Sequence, residues 1–449
     1  MISATFPTPA EGLLVKSIPI VQWQLCCWLL TAAGFISSLS AQDAVQELAE
    51  FPKLNATTDW PWWRGPTRNG IADQTPVPTV LSDTENVVWK TPVPGRGHSS
   101  PIVVGSRVFL TTADHAQQTH SVLAFDRETG KPLWQTQVNQ GGFPANNHAK
   151  NTEATATVAC DGERLFATFY AHDAVLAVAL DLDGDILWKE SVCRFRPTRY
   201  EYGYAPSPLL YKNTVIIAAE YDGPSFLFAL DAATGKSVWQ TPRPNSISFS
   251  SPVVTSVGGR ERLLLSGQEK VEAYDPATGK PLWSQPGTTY ATCGTMVWEG
   301  DMVFASGGYP KAETVGVKAD GSRVVWKNNQ KCYEQSMLAL DGHLYALTDG
   351  GVMFCWRGND GKEMWKQRLS GPVSASPVLA GGNIYWANES GTLYVVRPTP
   401  QKFELVAENK VGNDAFPSPA VCGGQIFLRV AQRTGAQRQE YLYCFANPK

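Results

Sequence analysis

The sequence predicts an all-β fold, an eight-bladed β-propeller of four-stranded antiparallel blades whose last blade is closed by an N-terminal strand. Three observations predict it. A strand, a tight turn rich in Asp, Thr and Gly, and a second strand carrying Trp recur along the chain. An apolar hairpin with a Gly-rich turn stands before each copy. The composition, with 15 Trp, 39 Gly and 31 Pro in 449 residues, fits short strands joined by turns better than helices.

The first motif is clearest in "LAFDRETGKPLWQTQV" (123–138), "FALDAATGKSVWQTP" (228–242) and "EAYDPATGKPLWSQP" (272–286). Weaker copies place Trp at 188, 326 and 365, so the Trp positions recur every 39 to 54 residues. The second motif appears as "SSPIVVGSRVFLTT" (99–112), "PSPLLYKNTVIIAA" (206–219), "SASPVLAGGNIYWAN" (374–388) and "PSPAVCGGQIFLRV" (417–430). Together they make a unit of strands A to D, a propeller blade. Hairpins A–B begin near 99, 155, 206, 250, 293, 335, 374 and 417. The last unit has no Trp strand, whereas "ENVVWKTPV" (85–93) is a Trp strand without preceding partners. Pairing the two removes an open edge. The turn "DAATGKS" lacks the upstream Gly of a phosphate loop, and "DLDGD" (181–185) falls at a C–D turn, so both read as turns.

Ahead of the propeller, residues 1–40 read as a secretory leader: Lys16, then the apolar run "VQWQLCCWLLTAAGFISSLSA". An uncleaved anchor is the alternative, and would be the one link to a membrane. Residues 41–84 read as a linker and Trp-rich clasp, and residues 85–449 as the propeller. The mature chain is expected outside the cytoplasm, as a monomer. A net charge of -3 leaves no basic field for nucleic acid or anionic lipid. Seven Cys follow the leader, an odd number, and most read as buried apolar residues. A Cys293–Cys332 bridge is one possible pairing. Two readings stand for "WPWWRGPTRNG" (60–70): a clasp packed across the ring, or an aromatic platform for a ligand.

The repeated A-x-D-x-x-T-G-K-x-x-W pattern resembles that of the pyrroloquinoline-quinone (PQQ) type propeller family, over roughly residues 59–449. The resemblance is nearest to secreted propellers abundant in planctomycete bacteria. More distantly it extends to quinoprotein dehydrogenases and to the propeller lipoprotein of outer-membrane protein assembly. It implies the fold, and only weakly an activity. The mature chain has no adjacent Cys pair, as many quinoprotein alcohol dehydrogenases have, and no Cys placed for lipidation.

Function is expected on the face that carries the D–A and B–C loops, which hold the variable sequence. The connection 139–159 offers His148, Lys150 and Glu153, and the connection 193–208 offers Arg194, Arg196, Arg199, Tyr202 and Tyr204. Interleaved Arg and Tyr can hold an anionic or sugar-like planar ligand by stacking and forked hydrogen bonds. A loop that packs its own aromatics is the alternative. His98, Tyr333 and Glu334 stand at the starts of A strands, with Ser99, Ser248, Ser250, Thr292, Gln335 and Ser374; Glu220 and Asp222 stand on a B–C loop. No nucleophile elbow, zinc helix or dinucleotide fingerprint appears. The expectation is therefore a non-catalytic binding or scaffolding propeller engaging a protein segment, a glycan or a small ligand, with no catalytic or metal-binding residues and no cofactor. The alternative is a PQQ-dependent oxidoreductase, with calcium, on the same face. A glycan-cleaving reading would need two carboxylates across the channel, among Glu153, Glu201, Glu220, Asp222 and Glu334.

Overall fold

A computed structural model describes residues 48–257 and 259–448. Residues 1–40, read above as a leader and containing Cys26 and Cys27, lie outside the described residues. Among the described residues the chain forms eight four-stranded antiparallel sheets and no helix. Blade 1 comprises Ile102–Val104, Arg107–Asp114, Thr119–Asp126 and Pro132–Gln140. The following blades repeat this order at 159–194, 209–243, 253–286, 297–328, 338–368 and 378–410. Blade 8 takes its first three strands, Ala420–Cys422, Gln425–Thr434 and Gln437–Ala446, from the end of the chain. Its fourth is Val87–Val93, antiparallel to Gln437–Ala446. The ring is thus closed by strands from opposite ends of the sequence.

The repeated motif is explained by how neighbouring blades lock together. Each D-strand Trp pairs across the sheet with a small residue: Trp134 with Ala124, Trp188 with Ala179, Trp326 with Gly316. A register shift follows immediately in each of these pairs. The indole then reaches the next blade, where Trp89 donates to the carbonyl of Arg127, Trp134 to Leu182 and Trp188 to Ala232. The Gly of the Thr-Gly-Lys turn lies against this ring. Gly130 has φ +71, and a Cβ there would stand 2.5 Å from Trp89. The Asp of the motif caps the turn: Asp126 Oδ1 accepts from the Thr129 amide and hydroxyl. The Thr two residues beyond the Trp donates to the turn glycine, as Thr91 does to Gly130.

The Trp-rich segment is a strap across the face of the A–B turns. Trp60 bridges Val103 and Ile71 bridges Leu379. Trp60 and Trp62 are 2 % and 1 % exposed, with Phe51 edge-on to Trp62 and the Arg68 guanidinium over its ring. Arg64 is buried against blade 6, where its Nη2 donates to the Met337 carbonyl at 2.8 Å. Burial pushes its pKa down to about 9. The clasp reading therefore describes Trp60 and Trp62. Trp63 does something else.

Candidate functional site

Strand periodicity builds the site. Two residues before each A strand stands one Ser or Thr: Ser100, Thr157, Ser207, Ser251, Thr295, Ser336, Ser376 and Ser418, all but Ser336 and Ser376 lining the central cavity. Seven of the eight hydroxyls accept from the corresponding backbone amide of a neighbouring blade. The links run Ser100 to Thr157, Thr157 to Ser207 and Ser207 to Ser251. They continue Thr295 to Ser336, Ser336 to Ser376, Ser376 to Ser418 and Ser418 to Ser100. Among the described residues one link is open: the amide of Ser251 makes no such bond to Thr295. There the Thr295 hydroxyl accepts from the indole N–H of Trp63 at 2.8 Å. Trp63 thus rises from the strap to the level of the hydroxyl ring and floors a cavity of about 360 Å³.

Side chains two apart on a strand share a face. Two residues before each ring hydroxyl stand His98, Thr155, Ala205, Phe249, Cys293, Glu334, Ser374 and Phe416, and all eight line the cavity. A constant hydroxyl layer therefore carries a variable layer above it. The loops complete the walls with Tyr200 and Tyr202 from 193–208, His148, Lys150 and Asn151 from 139–159, and Tyr309 and Tyr333. Tyr200 lies 5.7 Å from Tyr309 and 6.0 Å from Tyr202, centroid to centroid. On another side His98 stacks on Phe416 at 4.3 Å. Burial, then the charges of Arg96, Arg438 and Arg429, hold the His98 pKa well below 6.5, so its imidazole is neutral at pH 7.

Charge in the cavity is sparse. The Ser374 hydroxyl contacts both Glu334 and Glu389. One proton serves two carboxylates. The ammonium of Lys150 bonds Glu389 at 2.8 Å. Burial raises the Glu334 pKa above 4.5, Ser374 and Lys150 oppose this, and the charges of Glu389 and Asp349 add to it. Cys293 and Cys332 are free, with no bridge between them, and burial pushes both thiols well above their usual value.

Of the residues singled out in the sequence, His98, His148, Lys150, Tyr202, Tyr333, Glu334 and Ser374 line the cavity. The others do not. Tyr204 is core: it packs edge-on to Phe195 and donates to the Ala218 carbonyl. Glu220 is 2 % exposed and bonds Arg243 at 2.7 Å inside the sheet stack. Asp222 accepts from the Thr198 amide at 2.9 Å and so ties down the 193–208 loop. Buried Phe195 anchors that loop, which turns Arg194 and Arg196 outward; Arg196 meets Asp173 at 3.6 Å. Arg199 is exposed away from the cavity lining. Glu153 sits beside it, 3.4 Å from Asn147 and 4.0 Å from His115. Of the five carboxylates considered for glycan cleavage, Glu334 alone lines the cavity, so they provide no pair across it. Ser99, Ser248, Ser250, Thr292 and Gln335 are buried one step out of phase with the channel. Trp63, Phe249 and Phe416 were not singled out as cavity residues. The signal for the last two was their place two residues before Ser251 and Ser418.

Comparison with known proteins agrees with this architecture. An outer membrane protein assembly factor BamB of Burkholderia pseudomallei is 24 % identical over 368 residues, 72 % of this chain and 92 % of that protein. A tetrathionate hydrolase of Acidithiobacillus ferrooxidans is 22 % identical over 360 residues, 78 % of this chain and 66 % of that protein. Among solved structures, a europium-containing methanol dehydrogenase superposes with TM-score 0.65 at 12 % identity, covering 90 % of this chain and 100 % of that one. BamB from Moraxella catarrhalis gives TM-score 0.58 at 15 % identity, covering 81 % and 98 %. At such identities the solved structures show the fold alone. The family pattern matches residues 71–202, 118–339 and 311–399. These overlapping matches span most of the propeller, and the chain belongs to the family described as outer membrane protein assembly factor BamB, a family of PQQ-like β-propellers.

Proposed function

We propose that the protein is an extracytoplasmic binding propeller that takes a segment of a partner protein into the cavity of its D–A and B–C face. The observation that carries this reading is the two-layer mouth, a fixed ring of hydroxyls beneath eight variable side chains. A rigid ring that varies only at its rim is a recognition surface. The relatives named for assembly of outer membrane proteins support a protein as the partner and a location outside the cytoplasm.

The quinone reading fares less well on chemistry. Pyrroloquinoline quinone is a tricarboxylate, and the one ammonium in the lining, Lys150, is already bonded to Glu389. Calcium takes about six to eight oxygens. Among the described residues no three His, Cys, Asp or Glu side chains group to hold a metal. The lining does not fit that pair.

The test is to pan a random peptide library on the immobilised protein and on Ala205→Trp, which fills the cavity from a loop position. Peptides enriched on the native protein and lost on the filled variant, at unchanged melting temperature, are the expected result. Equal retention by both proteins would remove the cavity from the binding function.

A further inference from the structure

The variable layer above the hydroxyl ring carries a single charged residue, and it is Glu334. The cavity's other charged side chain, Lys150, is paired with Glu389, which stands behind Ser374. Among the described residues no Lys or Arg lies within ion-pair distance of Glu334; its hydrogen-bond partner is the Ser374 hydroxyl, shared with Glu389. Aromatic rings line the same cavity as this carboxylate: Trp63 at the floor, Tyr333 directly before Glu334 in the chain, and Tyr200, Tyr202 and Tyr309 in the wall. Aromatic faces with an acid beside them attract a cation and repel an anion. An anionic ligand would meet Glu334 with no free counter-charge, because Arg194, Arg196 and Arg199 lie outside the lining.

We propose that this cavity recognises an organic cation, an ammonium or guanidinium group, held among the aromatic rings with Glu334 as its counter-ion. The proposal deepens the binding function above and rests on it. Burial and two neighbouring carboxylates raise the Glu334 pKa, and a bound cation would relieve that strain. The same group can arrive as an Arg or Lys side chain of a partner protein or as a free amine. The chemistry of recognition is shared.

The experiment titrates the full chain with choline and with 3,3-dimethylbutan-1-ol, which has the same shape with carbon in place of the charged nitrogen, followed by ligand-observed NMR. Benzoate and methyl glucoside serve as anionic and neutral polar probes. Choline is expected to bind at least tenfold more tightly than its neutral isostere. In Glu334→Gln, an open rim position that keeps the Ser374 contact, the difference should fall below twofold. Equal binding of the two isosteres overturns the proposal. So does an unchanged difference in the variant, tighter binding of benzoate or the glucoside, or the absence of saturation by any probe. A capped peptide with a central Arg, its norleucine counterpart and agmatine separate the two sources. Tighter binding of the Arg peptide than of agmatine assigns the cation to a protein, and the reverse order assigns it to a free amine. Cavity-dependent peptides that bind without regard to charge would leave the binding function standing and remove the cation.

Discussion

At the scale of single residues, the strap is where one atom decides most. Gly65 has φ +74, and a Cβ there would stand 2.6 Å from the Trp60 ring. Gly65→Ala combines backbone strain with overpacking, and should lower stability by about 2–4 kcal/mol in a urea melt. Glu334 gives a prediction of a different kind. Its carboxylate faces Lys150, Glu389, Asp349, Tyr333 and Cys293 as well as Ser374. A raised pKa means that the carboxylate is half protonated at a pH above 4.5. Cation affinity should therefore be complete near pH 7 and fall at higher pH than for an ordinary glutamate. A choline titration flat down to pH 4 would contradict it. The sequence revealed which loops line the cavity, and seven of its lining residues, but not the phase of the A-strand starts. In "HSSP" (98–101) and "FSSP" (249–252) two serines compete for the channel, and only the second of each, Ser100 and Ser251, faces it. A one-residue slip exchanges the inner and buried sets.

At the scale of elements, the Thr-Gly-Lys turn and the Trp strand act as one joint. Gly130 and Gly105 both have positive φ, but a Cβ at 105 meets nothing within 4 Å. Gly105→Ala should cost about 1 kcal/mol, and Gly130→Ala, facing Trp89, about 2–4 kcal/mol; matched urea melts read the difference. A buried charge cluster offers a second comparison. Arg243 bonds Glu220 and contacts Glu272 and Tyr274 out of water. Glu220→Ala leaves part of that charge uncompensated, and should lower stability by about 3–5 kcal/mol. Little change would mean that water enters the cluster. This joint was legible in the sequence because its residues repeat. The cluster was not, because Glu220 in "AEYDG" looks like an ordinary loop acid until the sheets are stacked.

At the scale of the molecule, the ring depends on Val87–Val93 as the outer strand of blade 8. A chain beginning at residue 95 would expose the full edge of Gln437–Ala446. It should associate or precipitate where the longer chain stays dispersed in sedimentation velocity. That closure was readable from a Trp strand without partners and a last blade without a Trp strand. The floor was not, because nothing in "WPWWRG" distinguishes the third indole from the first two; only the open link at Thr295 does. The strap also shapes traffic. If Trp63, in the cavity lining, and the strap that carries it close the far end, a ligand has one way in and out. A newcomer cannot push the resident out from behind, so exchange must wait for departure. Release should proceed at a rate independent of how much competitor is added, and residence time would then be governed by the tyrosine-bearing loop at the door.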